Sequence, residues 1–249
     1  MICIDNKNIN KILSRIKNKN ILTYGFKKES NYRISNPKYK ADHSFFDLNY
    51  KDLNGRRKII RNINIKLIGR HNILNAAASV AICINLGVKI DIIKKALKNF
   101  SGVQRRMTKI FSKGKNEFFD DYAHHPTEIS SILDGVNKAY SNRKIITVFE
   151  PHRYSRIISL KKAFSKSFKQ SNLVLICPLY AAGEKKNVNF NLYNFAKLIS
   201  KNSKTQVVLV KNQQELTNYF KKNLISNEII IGMGAGSISQ WMRELKFSL

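Results

Sequence analysis

The chain has 249 residues, of which 43% are hydrophobic, enough for one large domain or two small ones around a buried core. This composition excludes a disordered chain. Lys and Arg number 45 against 16 Asp and Glu, a formal net charge of +29, which raises nucleic acid as a partner. The charge is scattered, however, and no block reaches about five like charges. We therefore expect a lysine-rich solvated surface and no nucleic-acid partner, with a non-enzymatic basic nucleic-acid-binding protein as the alternative.

The three cysteines indicate neither a disulfide framework nor a zinc site, because Cys3, Cys83 and Cys177 show no paired spacing. No apolar run approaches the roughly 20 residues that a membrane helix needs. The first residues carry no charged segment followed by an apolar segment and a cleavage site, so export is not signalled. We expect a cytoplasmic protein with no membrane span.

The first part of the chain, residues 1–105, has an irregular pattern. Short strands are predicted over residues 2–5 and 20–26, on either side of a helix near residues 8–16. Residues 30–64 alternate weakly, as antiparallel strands do, with turns near Asn36-Pro37 and Asn54-Gly55.

Two helices are predicted next, over residues 72–86 and 91–100, with Gly87 placed to end the first. No phosphate-binding loop follows the first strand. We therefore expect residues 1–105 to be the last part of a larger domain.

From about Glu117 onward, strand and helix patterns alternate regularly. The predicted strands and helices are 118–122, 126–140, 144–149, 155–170, 173–177, 192–199, 206–210, 216–224, 228–232 and 238–245. Strands separated by helix-length segments imply right-handed crossovers and a mainly parallel sheet covered on both faces. The fold class is thus α/β, with a complete Rossmann-like domain over residues 106–249.

Two motifs near the middle of the chain carry polar groups. Asn72 and Asn75 lie three residues apart, so a helix would place their amides on one face, where they could match a purine; helix capping by an Asn is the alternative. Arg105 and Arg106 lie on the predicted connector, where an Arg can bind phosphate or simply be solvated.

Two further motifs follow predicted strands. Residues 120–126, DDYAHHP, put two carboxylates, a phenol and two imidazoles before a helix, at the sheet edge where ligands bind. Residues 150–156, EPHRYSR, follow the next strand, and Arg153 and Arg156 are suited to hold a carboxylate or phosphate. We expect the two strands to be adjacent and their ends to form one pocket.

A glycine-rich segment, GMGAGS at residues 232–237, suggests a dinucleotide site at first sight. Its third Gly comes one position early for that fingerprint, and no acidic residue follows at the required distance. A dinucleotide oxidoreductase is therefore excluded, and we interpret the segment as a turn that lets a helix pack tightly on the last strand.

The motifs GRHNILNA, GVQRRM, DDYAHHPTE, EPHRYSR, LYAAGE and GAGSI, in this order, resemble the Mur ligase family in its L-alanine-adding form across essentially all of the chain. The resemblance implies an ATP-dependent, ADP-forming amide ligase of peptidoglycan precursor synthesis. Such an enzyme joins L-alanine to UDP-N-acetylmuramate through an acyl phosphate. The tripeptide-recycling Mur ligase shares DD-x-A-HHP but usually lacks HRYSR, and it is the alternative within the family.

The resemblance also implies roles for individual residues. Asn72, Asn75, Arg106 and Asp121 would bind ATP; Arg106 and His124 would act in catalysis; Tyr122, His124, Arg153 and Arg156 would bind L-alanine.

The sequence departs from the family pattern in one respect, because the family's central ATPase domain carries a GTHGKT-like loop and no GxxxxGK[ST] occurs here. Residues 1–105 resemble only the end of that domain. The resemblance then implies that the ligands of Mg²⁺ lie outside this chain and that ATP and Mg²⁺ binding need a missing N-terminal part. We expect the chain to be inactive alone, with a separately encoded N-terminal half as one way to complete it.

Overall fold

The computed structural model describes residues 1–13, 15–16, 20–40, 42–52, 54–188 and 190–249. They form two compact units, Met1–Gly102 and Val103–Leu249. The predicted boundary, between residues 105 and 106, falls close to this division. Within the described ranges no helix is long and apolar enough to cross a membrane.

The first unit contains a five-stranded mixed sheet. Its strands, in both chain order and sheet order, are β1 (Ile2–Cys3), β2 (Thr23–Gly25), β3 (Tyr32–Tyr39), β4 (Ser44–Lys51) and β5 (Arg57–Ile65). The first three strands are parallel, and β3, β4 and β5 are antiparallel. Its helices are α1 (Lys7–Leu13), α2 (Arg70–Asn85) and α3 (Ile90–Asn99). Residue 14, inside the predicted first helix, lies outside the described residues.

The core of the first unit lies between this sheet and the helices α2 and α3. Phe46 and Leu48 alternate along β4 and are buried, as a period of two dictates, and they pack with Ile73 and Ala77 of α2. The predicted end of α2 is confirmed: Gly87 has φ 78°, and the amide of Val88 donates to Cys83 O.

The turn predicted at Asn36-Pro37 is wrong. The two residues form a bulge inside β3, where the register with β4 shifts between Ser35 and Lys38. Asn tolerates the left-handed φ of 51° found there, and a bulge tolerates a proline without an amide hydrogen. The chain turns later, where the amide of Lys40 donates to His43 O. The second predicted turn is confirmed, with Gly55 at φ 74° between β4 and β5.

The second unit contains a six-stranded sheet. Its strands are β6 (Thr108–Lys113), β7 (Asn116–Asp121), β8 (Lys144–Phe149), β9 (Leu173–Ile176), β10 (Gln206–Leu209) and β11 (Glu228–Met233). The order across the sheet is β10-β9-β8-β11-β7-β6, and only β6, at the edge, is antiparallel to its neighbour. The predicted α/β fold is confirmed.

The helices of the second unit are α4 (Pro126–Ala139), α5 (Tyr154–Ser159), α6 (Lys161–Phe164), α7 (Leu192–Ser203), α8 (Gln213–Asn223) and α9 (Ile238–Ser248). The continuous apolar runs of β9 and β11 are buried along their length, as expected for parallel strands covered on both faces.

Three sequence-based expectations about this unit need correction. The edge strand β6 was not predicted. The helix expected over residues 155–170 is interrupted at Leu160 and ends at Phe164, although Ile157, Phe164 and Phe168 of its apolar stripe are fully buried. The strands before the DDYAHHP and EPHRYSR motifs are not adjacent, because β11 lies between β7 and β8. A connection that leaves space in the sheet for a later strand has no local signature in the sequence. The order of the strands could therefore not be predicted.

Candidate functional site

The polar motifs of the second unit meet at one edge of its sheet. β7, β8, β9 and β11 are parallel, so the segments that follow them emerge on the same side. These segments contain residues 122–125, 150–156, 178–184 and 234–237.

The two histidines after β7 have different surroundings. His125 is the N-cap of α4: its Nδ1 accepts from the amide of Thr127 at 3.3 Å. The Glu128 carboxylate accepts from the amides of His124 (3.1 Å) and His125 (3.2 Å), which completes a capping box. The His124 ring is not part of this cap; its Nδ1 lies 2.9 Å from Tyr122 O and 3.8 Å from Glu128 Oε2. Because a carbonyl can only accept, Nδ1 carries the hydrogen in this contact, and Nε2 of the neutral ring keeps a lone pair.

Four rings and one guanidinium form what we call the strand-end cluster: Tyr122, His124, His152, Tyr180 and Arg156. Ring centroids are 5.1 Å apart for Tyr122 and His124, 5.8 Å for His124 and His152, and 5.5 Å for His152 and Tyr180. Arg156 Nη1 lies 3.1 Å from His152 Nδ1. The cluster joins residues that follow three different strands.

The charge state of the cluster follows from its composition. Burial lowers the pKa of His152, and the positive charge of Arg156 lowers it further, followed by His124 and Arg153. His152 is therefore neutral at neutral pH. Since a guanidinium only donates, His152 Nδ1 accepts from Arg156. The cluster thus presents the fixed positive charge of Arg156 beside the neutral His152 ring, with the His124 ring adjacent, which suits a ligand carrying both a carboxylate and an amine.

Arg153 adjoins the cluster through its backbone. It has a left-handed φ of 67°, and its amide donates to Tyr180 O at 2.9 Å, while the amide of Tyr180 donates to Pro151 O at 2.8 Å. The Arg153 side chain is exposed at the start of α5. Its predicted role in holding a carboxylate stays a prediction.

The Asp121 carboxylate is buried at the end of β7. It is 1% exposed and accepts from the amides of Met107 (2.8 Å) and Ala123 (2.7 Å). Burial raises its pKa to about 7, against the opposing effect of these two hydrogen bonds and of Arg106. In this structure Asp121 holds the backbone just before β6 and just after β7, and its predicted contact with nucleotide stays a prediction.

The two arginines of the connector differ. Arg105 Nη2 donates to Gly234 O at 2.7 Å, and Arg105 Nε lies 3.8 Å from the fully buried Asp120 carboxylate. Arg106 is exposed, and its guanidinium lies 5.9 Å from the Tyr122 ring centroid. Arg105 therefore fastens the connector to the glycine-rich turn, whereas Arg106 is accessible to a ligand.

The glycine-rich turn after β11 accommodates a carboxylate of the protein itself. Glu150 Oε2 accepts from Ser237 Oγ (2.6 Å) and from the amide of Ile238 (3.0 Å), and Glu150 is 2% exposed. Burial raises its pKa, opposed by these hydrogen bonds. The position at the start of α9, where a dinucleotide-binding fold would bind phosphate, is thus occupied by Glu150.

The glycines of this turn allow close packing. A Cβ at Gly232 would overlap Met242 of α9, and a Cβ at Gly236 would overlap Glu150 and the Tyr180 ring. The interpretation of GMGAGS as a packing turn is confirmed.

Asn72 and Asn75, predicted to bind adenine, lie in the first unit. α2 begins at Arg70 with Gly69 as its N-cap, so the alternative of an Asn cap is wrong. Asn72 is 9% exposed, and its Nδ2 donates to Ile68 O at 2.9 Å, which leaves its Oδ1 as an acceptor. Asn75 is exposed one turn later. The predicted contact of Asn72 and Asn75 with adenine stays a prediction.

In the described ranges, no group of three or more His, Cys, Asp or Glu residues could hold a metal ion.

Three contributors to the site were missed as site residues in the sequence: His152, Tyr180 and Glu184. His152 lies inside a motif that pointed to its arginines, and Tyr180 and Glu184 lie in LYAAGE, a motif that carried the family resemblance but was given no role. The available signal was their place after a parallel strand, since such ends share one edge of a sheet.

Comparison with known proteins gives a consistent result. Residues 105–236 match the Mur ligase glutamate ligase domain, and residues 1–83 match the Mur ligase middle domain. The UDP-N-acetylmuramate--L-alanine ligase of Pelagibacter ubique is 48% identical over 98% of this chain and 53% of its own length. The enzyme of the same name from Vesicomyosocius okutanii is 35% identical over all of this chain and 53% of its own length.

Among solved structures, the UDP-N-acetylmuramate-alanine ligase MurC from Thermotoga maritima superposes with a TM-score of 0.73 at 26% identity. It covers 91% of this chain, and the match covers 47% of that protein. The chain thus spans about half the length of the relatives it matches. The family models, the relatives and the fold agree that the chain belongs to the Mur ligase family.

Proposed function

We propose that the chain contributes to the ATP-dependent ligation of L-alanine to UDP-N-acetylmuramate, in peptidoglycan precursor synthesis in the cytoplasm. The observation that carries the proposal is the contact of Arg156 with a neutral His152, next to His124 and Tyr122. The names of the relatives indicate which reaction to expect. The second unit supplies a cluster of side chains suited to binding an amino acid.

Within this site each side chain has a role that its surroundings support. Arg156, with the exposed Arg153, would bind the carboxylate of L-alanine, because guanidinium groups pair with carboxylates in a forked geometry. The ammonium group must lose a proton before it can act as a nucleophile. His124 can take that proton at Nε2, because its Nδ1–H faces Tyr122 O. The Tyr122 and Tyr180 rings would enclose the small side chain.

ATP, when bound, supplies the phosphoryl group that activates the carboxylate of UDP-N-acetylmuramate, and Mg²⁺ neutralises its phosphates. Asn72 and Asn75 would contact the adenine, Asp121 would lie near the nucleotide, and the exposed Arg106 would contact the transferred phosphate. The magnesium ligands would come from protein outside the residues described, so a second polypeptide or a further segment would complete the enzyme.

The direct experiment is a chimaera in which this chain replaces the matching 245-residue portion of the P. ubique relative. We expect the purified chimaera to release ADP only when both UDP-N-acetylmuramate and L-alanine are present. The unaltered relative, assayed in parallel, shows that the conditions support the reaction, and circular dichroism checks that the chimaera is folded. A folded chimaera that releases no ADP would refute the proposal.

The same assay separates the alternatives. The tripeptide-recycling ligase would use the tripeptide in place of L-alanine. A basic nucleic-acid-binding protein would release no ADP and would bind RNA or DNA with an affinity that falls steeply as salt increases.

A further inference from the structure

The short helix α5 carries Arg156 and lacks a cap from its own N-terminal residue. Arg153 precedes it with φ 67° and makes no side-chain capping hydrogen bond. The first amides of a helix have no partner within the helix and need an acceptor from elsewhere. A six-residue helix has little stability of its own, so its orientation depends on that acceptor.

Glu184, from the loop after β9, supplies the acceptor. Its Oε2 accepts from the amide of Ser155 at 3.0 Å, and its Oε1 accepts from Ser155 Oγ at 2.5 Å. These hydrogen bonds hold the pKa of the Glu184 carboxyl below its ordinary value, with a smaller contribution from Arg153. The carboxylate is therefore ionised at neutral pH, the state that accepts both bonds.

The loop that carries Glu184 is itself fastened to the strand-end cluster. Tyr180 pairs with His152 in a parallel bridge, and the two rings stack with an interplanar angle of 16°. Between Tyr180 and Glu184 the chain reverses through Ala182 and Gly183, at φ 50° and 84°. The loop thus holds the segment of residues 151–156 at two points, Tyr180 on its first half and Glu184 on its last.

We propose that Glu184 is a positioning residue that fixes α5 through Ser155 and so sets the place of Arg156 against His152 for recognition of the amino acid. The inference rests on the proposed function, because it concerns the same L-alanine site. Glu184 touches neither substrate nor nucleotide in this account; it acts through the helix. Misplacing a binding group by about 1 Å costs up to about a hundredfold in rate.

The test compares variants of the active chimaera by steady-state kinetics. Glu184→Ala is expected to raise KM for L-alanine on the order of tenfold, with KM for ATP unchanged, because only the alanine site moves. Glu184→Gln is expected to restore KM to within about threefold of the wild type, since its amide can accept from the backbone and donate to Ser155 Oγ. Ser155→Ala is expected to raise KM less than Glu184→Ala. The double variant Glu184→Ala/Ser155→Ala should raise KM for L-alanine no more than Glu184→Ala alone, because both substitutions remove the same Glu184–Ser155 contact.

Glu215→Ala is the matched control. Glu215 accepts from the amide of Lys211 at 2.7 Å, so it also supports the start of a helix, α8, without contact with the cluster. Its removal should leave KM for L-alanine unchanged. Hydrogen exchange at residues 154–157 of the 249-residue chain is expected to accelerate in Glu184→Ala and not in Glu215→Ala.

The outcomes separate the two proposals. An active chimaera whose KM for L-alanine is the same in Glu184→Ala would overturn the positioning role and leave the proposed function intact. The positioning role would also be overturned if Glu215→Ala raised KM equally. A folded chimaera without ligase activity would overturn the proposed function and this inference with it.

Discussion

The imidazole rings of His124 and His152 lie 5.8 Å apart, although β11 separates the strands that precede them. The segments after β7 and β8 therefore bend towards each other across the end of β11. The glycine-rich turn makes this possible, because Gly234 and Gly236 leave room for Glu150 and Tyr180. The two motifs therefore meet, as predicted, although the strands that precede them are not adjacent as expected.

Replacement of Arg156 by Ala removes the guanidinium that contacts His152. We expect the variant to lose about 1.5 to 3 kcal/mol of binding to L-alanine, roughly ten- to a hundredfold in KM, the range for a hydrogen bond to a charged group. The measurement is KM for L-alanine in the chimaera, with Lys161→Ala, on the adjacent α6, as a control for loss of positive charge. Unchanged saturation by L-alanine would remove Arg156 from the site.

Asp121 makes the stability of the second unit depend on pH. Its pKa is raised to about 7, above the value of about 3.9 for an unfolded chain, so the folded state binds the proton more tightly. The resulting stabilisation is complete below about pH 4 and is lost as the pH rises through 7. Asp121→Asn abolishes this titration, and we expect the fall in unfolding free energy between pH 5 and 8 to shrink by on the order of 2 kcal/mol.

Urea unfolding at several pH values checks this prediction. Asp134→Asn, at an exposed position of α4, controls for the loss of one carboxylate. A pH dependence in Asp121→Asn equal to that of the wild type would show that this carboxyl does not titrate in the folded state as stated.

Gly236→Ala places a methyl group against Glu150 and the Tyr180 ring. We expect a loss of about 1 to 3 kcal/mol of stability from overpacking, together with a higher KM for L-alanine because Tyr180 stacks on His152. Gly232→Ala is the comparison, since it disturbs Met242 of α9 instead. It should lower the melting temperature without changing KM. Equal effects of both variants on KM would argue against a link between the turn and the site.

The second unit is expected to fold by itself. Its core includes the fully buried Phe118, Val148, Leu175 and Ile230 on the sheet. We predict that residues 103–249 expressed alone unfold cooperatively and that limited proteolysis of the whole chain digests residues 1–102 first. Digestion that spared the first unit and removed the second would contradict the prediction.

Much of the fold could be predicted from local patterns. Continuous β-branched runs such as residues 144–149 indicated buried strands, and helical spacing placed α4 within one residue of its observed end. The antiparallel strand β6 and the bulge at Asn36 were missed, because short strands with weak alternation resemble turns. The order of the strands, with β11 between β7 and β8, depends on how the whole sheet packs and not on any local sequence pattern.

The site could likewise be predicted only where local patterns in the sequence pointed to it. Tyr122, His124 and Arg156 were identified because polar groups after parallel strands gather at one edge. Their partner His152 and the supporting Glu184 could be recognised only once the loop after β9 was seen to pair with the segment after β8. The buried position of Asp121 also depends on tertiary contacts, since only the fold brings the amide of Met107 to it.

The most direct test of one shared amino-acid site uses substitutions on both of its sides. In the chimaera, His124→Asn alters the segment after β7, and Arg156→Lys alters the segment after β8 but keeps the charge. If the two segments form one site, each variant impairs use of L-alanine, seen as a lower kcat/KM for L-alanine, while KM for ATP stays unchanged. If one of the two leaves kcat/KM for L-alanine at the wild-type value, the two segments do not form a single site.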